Sequence, residues 1–284
     1  MSPADPTTSI PARDGYPLAA TIVEPASHEH GRRVVVINAA MGVPARFYRR
    51  FADALAAAGM TVVLWDYRGI AASRQGSLRG FRATAEDWVF QDMAGVIDWV
   101  VREVEPQRLF LVGHSLGGQV AGLLDNADRV DGMVTLSAQS GYWRMQGGLQ
   151  KYAVLLHAYV SLPWITRLCG YAPWRRLGLG QDLPRSVALR WAAWLRSPGY
   201  LFDDDTLPLE RYRSFQAPVL AFSFADDDWG TARSVDALMK AYPNVERRHV
   251  APADFGMASI GHVGFFRASG KPLWDEVIRW MSAR

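Results

Sequence analysis

Leu109-Phe110-Leu111-Val112-Gly113-His114-Ser115-Leu116-Gly117-Gly118 runs from four consecutive apolar residues into three glycines around a serine. Four apolar residues in a row fit a strand buried on both faces. Leu116–Leu124 predicts a helix directly after it. A strand that turns into a helix around Gly-x-Ser-x-Gly is a nucleophile elbow. The turn is sharp, and nothing bulky can stand beside the serine. The helix N-terminus supplies free N–H groups and a positive dipole where negative charge develops. Ser115 is therefore the expected nucleophile; the competing reading is a glycine-rich turn without chemistry.

A serine hydroxyl needs a base. In a fold built around such an elbow the chain order is serine, acid, histidine. Both partners follow in that order. The apolar run Val219–Phe224 leads into Ala225-Asp226-Asp227-Asp228, and the run Glu246–Val250 precedes a loop with Ile260-Gly261-His262-Val263-Gly264. His262 is the expected base, placed between the last strand and the last helix. Asp227, three residues beyond Phe224, is the expected acid, and Asp228 is the alternative. The remaining aspartates are expected to cap the next helix or face water. An oxyanion hole needs two N–H donors. One is expected from Leu116. The other is expected from the small-residue turn Asn38-Ala39-Ala40-Met41-Gly42, at Ala40 or, as second choice, Met41.

Working outward, strands are expected at Leu18–Val23, Val34–Ile37, Thr61–Trp65, Leu109–Val112, Met133–Leu136, Val219–Phe224 and Glu246–Val250. Helices are expected at Arg46–Ala58, between Glu86 and Val104, at Leu116–Leu124, Val235–Ala241 and Leu273–Met281. Val89, Met93, Val96, Ile97, Val100 and Val104 form one apolar stripe at helical spacing. Strands alternating with helices argue for a mostly parallel sheet covered on both faces. Gln139–Arg213 breaks the alternation and is too long for a simple crossover. It carries Trp143, Trp164, Trp174, Trp191 and Trp194. We read 139–213 as an inserted helical cap, with 1–138 and 214–284 as the α/β core; most of those aromatics are expected to form the cap's own core.

Composition narrows the function. The net charge is only +3, and no block of basic residues points to nucleic acid as a partner. No apolar run approaches the ~18 residues of a membrane span. The first residues lack the basic and apolar regions of a signal peptide, so a soluble, cytoplasmic protein is expected. The lone Cys169 lies in an apolar run and reads as a buried structural thiol. His28 and His30 read as a solvated turn before the sheet, because no third metal ligand is near them. His249 reads as structural, His157 as packing in the cap, and His114 as support for the elbow. No metal or cofactor is implied.

Taken together, Gly113–Gly118, Asp66-Tyr67-Arg68-Gly69, Asp226–Asp228 and Gly261-His262 resemble the α/β-hydrolase superfamily over nearly the whole chain. The resemblance is closest to bacterial hydrolases related to serine aminopeptidases, monoacylglycerol lipases and esterases. It implies an α/β-hydrolase fold, and with the expected Ser115, His262 and Asp227 the reading is a serine carboxyl-ester hydrolase of a small molecule; the aromatic residues of 139–213 suggest an apolar acyl or aryl group. Most members carry His-Gly at the oxyanion turn, where this chain has Asn38-Ala39. That turn is similar to the one in homoserine O-acetyltransferases, so an acyltransferase on the same three residues is the first alternative. A non-catalytic binding protein of the same fold is the second.

Overall fold

The computed structural model describes residues 8–27 and 31–284; the turn expected at His28 and His30 lies outside them. Its strands are β1 (Thr8–Pro11), β2 (Pro17–Val23), β3 (Arg33–Asn38), β4 (Met60–Trp65), β5 (Arg108–His114), β6 (Gly132–Leu136), β7 (Tyr171–Ala172), β8 (Leu183–Pro184), β9 (Val219–Phe224) and β10 (Val245–Val250). Eight of them form one sheet in the order β1-β2-β4-β3-β5-β6-β9-β10. From β4 to β10 every neighbouring pair is parallel, while β1–β2 and β2–β4 are antiparallel. Val34, Val35, Val36 and Ile37 are all but fully buried, because β3 lies inside the sheet with helices outside it.

The expected α/β architecture is the observed one, with local differences; the short pair β7–β8 was not expected, and three others bear on the core. β1 has no counterpart in the sequence reading. It is four residues long, ends in a proline and buries only Ile10, as an edge strand can. The stripe from Val89 to Val104 does lie on a helix, but only α2 (Ala94–Trp99) is α-helical. It is flanked by π-helical turns at Asp87–Met93 and Val100–Val104. After the elbow, α3 covers only Leu116–Gln119 before a 3₁₀ turn at Ala121–Leu123.

The other helices are α1 (Arg49–Ala57), α4 (Gln150–Leu156), α5 (Leu162–Cys169), α6 (Arg185–Arg196), α7 (Arg211–Ser214), α8 (Ala232–Met239) and α9 (Lys271–Ser282). α1 and α9 meet through Phe51 and Trp274, whose ring centroids are 5.6 Å apart. The Asp66–Gly69 motif ties loops together. Asp66 accepts the amides of Ala45 and Ala72, and buried Arg68 is clamped between Asp92 and Asp14. Four of the helices, α4 to α7, lie in the segment between β6 and β9.

Sheet register brings the distant motifs together. Asn38 at the end of β3 pairs with Gly113 near the end of β5. The turn after β3 is thereby set beside the elbow. β6 and β9 follow on the other side of β5, so the loops after β5, β9 and β10 share one edge of the sheet. Ligands in open parallel sheets bind at that edge.

Candidate active site

Ser115 has φ +48° and ψ −117°, a conformation that L-residues rarely adopt. Such backbone costs on the order of 1–3 kcal/mol and persists only where neighbours hold it. Here the Ser115 amide donates to the Leu136 carbonyl at 3.0 Å, and the Ser115 carbonyl accepts the amides of Gly118 and Gln119. The glycines permit the close approach. A Cβ on Gly113 would stand 2.4 Å from Gly118 Cα, and one on Gly117 would stand 2.2 Å from the Asn38 carbonyl oxygen.

Asp227 and His262 are 35 residues apart in sequence, and Asp227 Oδ2 lies 2.9 Å from His262 Nδ1. The other carboxylate oxygen, Oδ1, accepts the amides of Trp229 and Gly230, each at 2.9 Å. Burial favours the neutral acid. The hydrogen bond and charge of His262, with the Gly230 amide, outweigh burial and hold the carboxyl below its usual range. Of the three consecutive aspartates only Asp227 is buried.

One of its two neighbours acts differently from expectation. Asp226 neither caps the next helix nor merely faces water. It accepts the amides of Ile260 (2.8 Å) and Gly261 (2.9 Å) and so anchors the loop that carries His262. The next helix, α8, is capped instead by Thr231, whose hydroxyl accepts the Ser234 amide. Asp228, the alternative acid, is exposed and turned toward Gly147 and Gly148.

The turn after β3, where the second oxyanion donor was expected at Ala40, also differs from expectation. The Ala40 amide donates to the Tyr48 hydroxyl at 2.9 Å, so Ala40 is not a free donor. The amides of Met41 and Leu116 have no partner among the described residues, and both residues line the same cavity as Ser115. Tyr48, which nothing in its sequence context marks, belongs to a buried chain of bonds. Its oxygen is 2.8 Å from His114 Nδ1, and His114 Nε2 is 2.8 Å from the His262 carbonyl oxygen. A carbonyl only accepts, so Nε2 carries the proton and Nδ1 accepts the Tyr48 O–H. Burial, aided by His262, pushes His114 down to about 3 and keeps it neutral. His114 thus links the turn after β3, through Tyr48, to the His262 backbone.

A cavity of about 380 Å³ opens over Ser115. Ser115, Leu116, Met41 and His262 line it. So do residues of 139–213, among them Gln150, His157, Trp174, Trp191 and Tyr200. Trp191 stacks on Trp229 at 6.3 Å and meets Trp174 edge-on at 5.6 Å. Trp229 in turn lies 6.2 Å from His262. His157 packs against Trp174, bonds Ser161 Oγ, and is pushed down by burial to about 4. It is a neutral part of the wall.

The other candidates stand apart. Trp194 does not line this cavity; its indole N–H donates to Asp204 at 2.7 Å. His249 is exposed on β10, where its ring bonds the Ser223 hydroxyl. Cys169, expected buried, is half-exposed at the end of α5. Among the described residues no group of three or more His, Cys, Asp or Glu side chains could hold a metal.

The family model described as serine aminopeptidase, S33, matches residues 29–177, slightly more than half of the chain. Among solved structures, the chain superposes on Est1E from Butyrivibrio proteoclasticus with bound ferulic acid (TM-score 0.64, 15% identity, 96% of this chain and 97% of that one). It also superposes on the esterase EaEST from Exiguobacterium antarcticum (TM-score 0.62, 17% identity, 96% and 98%). A third match is the Pyrococcus furiosus esterase Pf2001 (TM-score 0.63, 15% identity, 99% and 91%). At these identities the superpositions speak to the fold. A search of curated proteins finds no match. With the α/β-hydrolase sheet and the matched family model together, the chain belongs to the S33 serine aminopeptidase family of hydrolases.

Proposed function

We propose that the chain is a serine carboxyl-ester hydrolase. Ser115 Oγ attacks the ester carbonyl, and His262 takes its proton and later gives it to the leaving alcohol. Asp227 holds the His262 ring by Nδ1 and stabilises the imidazolium. The developing oxyanion is held by the amides of Leu116 and Met41, Met41 replacing Ala40. Water, activated by His262, then releases the acid and restores Ser115. The observation that carries this reading is the Asp227–His262 hydrogen bond beside Ser115 and two partner-free amides in one cavity.

The segment 139–213 acts in this reading as a cap. Its indoles and aliphatic side chains exclude water, which strengthens hydrogen bonds to the oxyanion. They also favour an apolar acyl or aryl group. The acyltransferase reading draws no support from Asn38. That side chain is fully buried, accepts the Trp65 indole N–H at 3.1 Å and does not line the Ser115 cavity.

A series of p-nitrophenyl esters of increasing chain length tests the proposal. Wild-type protein should favour longer or aryl acyl groups over acetate. Trp191→Ala should shift that preference by about tenfold, roughly the worth of one or two buried methylenes, while leaving acetate turnover nearly unchanged. Equal losses on short and long esters would point to damaged folding rather than a lost wall. With a large excess of an alcohol or amine, free acid should remain the main product; acyl transfer at its expense would favour the alternative.

A further inference from the structure

Every large apolar side chain that is exposed among the described residues lies between Leu149 and Leu179. α4, a π-helical turn at His157–Ser161 and α5 follow one another without a break over 150–169. At 1.5 Å per residue this is a rod of roughly 30 Å. One side of it, with Val154, Ala158, Leu162 and Thr166, is buried. On the other side Leu149, Tyr152, Leu156, Tyr159, Trp164 and Leu168 face outward, with Leu149 82%, Trp164 71% and Leu168 83% exposed. Apolar surface of this extent on one face marks an interaction site.

Charge identifies the partner. From Gln139 to Gln181 the sequence has Arg144, Lys151, Arg167, Arg175 and Arg176 and no Asp or Glu. Four of the five are exposed, Lys151 is half-buried, and none is ion-paired among the described residues. Leucine, tryptophan and tyrosine on one helical face, bordered by unpaired cations, fit the headgroup region of an anionic bilayer. No helix among the described residues is long and apolar enough to cross a membrane, so this one would lie in the interface. The face also borders the cavity. Gln150, Ala153 and His157 of the same rod, and exposed Leu179, line it.

We propose that this face docks on anionic lipid surfaces and that lipophilic esters enter the Ser115 cavity from there; the second half rests on the ester-hydrolase reading. Flotation with phosphatidylcholine vesicles, with and without phosphatidylglycerol, tests it, using wild type and the double variant Trp164→Glu with Leu168→Glu. Both residues are exposed and neither lines the cavity. Wild type should float with the phosphatidylglycerol vesicles, less so at high salt. The double variant should bind at least about tenfold more weakly, having exchanged two buried apolar groups for charges. Its hydrolysis of a water-soluble acetate ester should stay at the wild-type rate. Absent vesicle binding, or equal binding by the variant, would overturn the docking. Equal binding to both vesicle types would overturn the anionic partner. A wild-type dimer in sedimentation that the variant loses would assign the face to a second copy of the chain instead. Vesicle binding without ester hydrolysis would leave the docking standing and sink only the enzymatic reading.

Discussion

Ser115→Ala should lower kcat by roughly 10⁶, the scale of loss when a triad serine is removed. The fold should survive. Alanine is no worse than serine at φ +48°, and the backbone bonds that hold the elbow, from the Ser115 amide to Leu136 and from Gly118 and Gln119 to the Ser115 carbonyl, need no side chain. Steady-state turnover of a short p-nitrophenyl ester, read with a thermal melt, checks both halves. Retained turnover, once contaminating esterase is excluded, would remove Ser115 from the mechanism.

Asp227→Asn should lower kcat by about 10³–10⁴, because an amide can hold His262 in the wrong tautomer and cannot stabilise its positive form. Asp226→Asn should have a smaller effect. Asparagine keeps only one of the two acceptors that hold Ile260 and Gly261, so the His262 loop loosens and a loss of about tenfold follows from misplacement alone. Asp228→Asn should stay close to wild type, since its side chain is exposed and away from His262. The order of the three kcat values is the readout. A larger loss at Asp228 than at Asp227 would put the acid one residue later.

The three aspartates also show what a sequence can and cannot tell. Distance from the strand end singled out Asp227, the aspartate that the structure sets against His262, because β9 ends at Phe224 in both readings. The work of Asp226 was hidden, since its partners are amides 34 and 35 residues away. The central strands were legible as unbroken apolar runs, because both their faces are buried, and the helical stripe by its spacing. β1 was not, having a single buried residue to show. Ala40 fitted the oxyanion role by its small size alone, and the competing Tyr48 hydroxyl arrives by tertiary packing. The five tryptophans of 139–213 read alike as a hydrophobic core. Trp174, Trp191 and Trp194 are buried, yet Trp164 points outward. Apolar composition shows that a surface seeks cover without showing whether the chain itself supplies it.

In the proposed mechanism Ser115 is the nucleophile, activated by His262 and Asp227. Incubating the protein with a fluorophosphonate and mapping the adduct by peptide mass spectrometry tests that role. One phosphonylated site is expected, Ser115, absent in Ser115→Ala and formed much more slowly in Asp227→Asn. An adduct on another residue, or an intact wild-type protein that takes up no reagent, would contradict it.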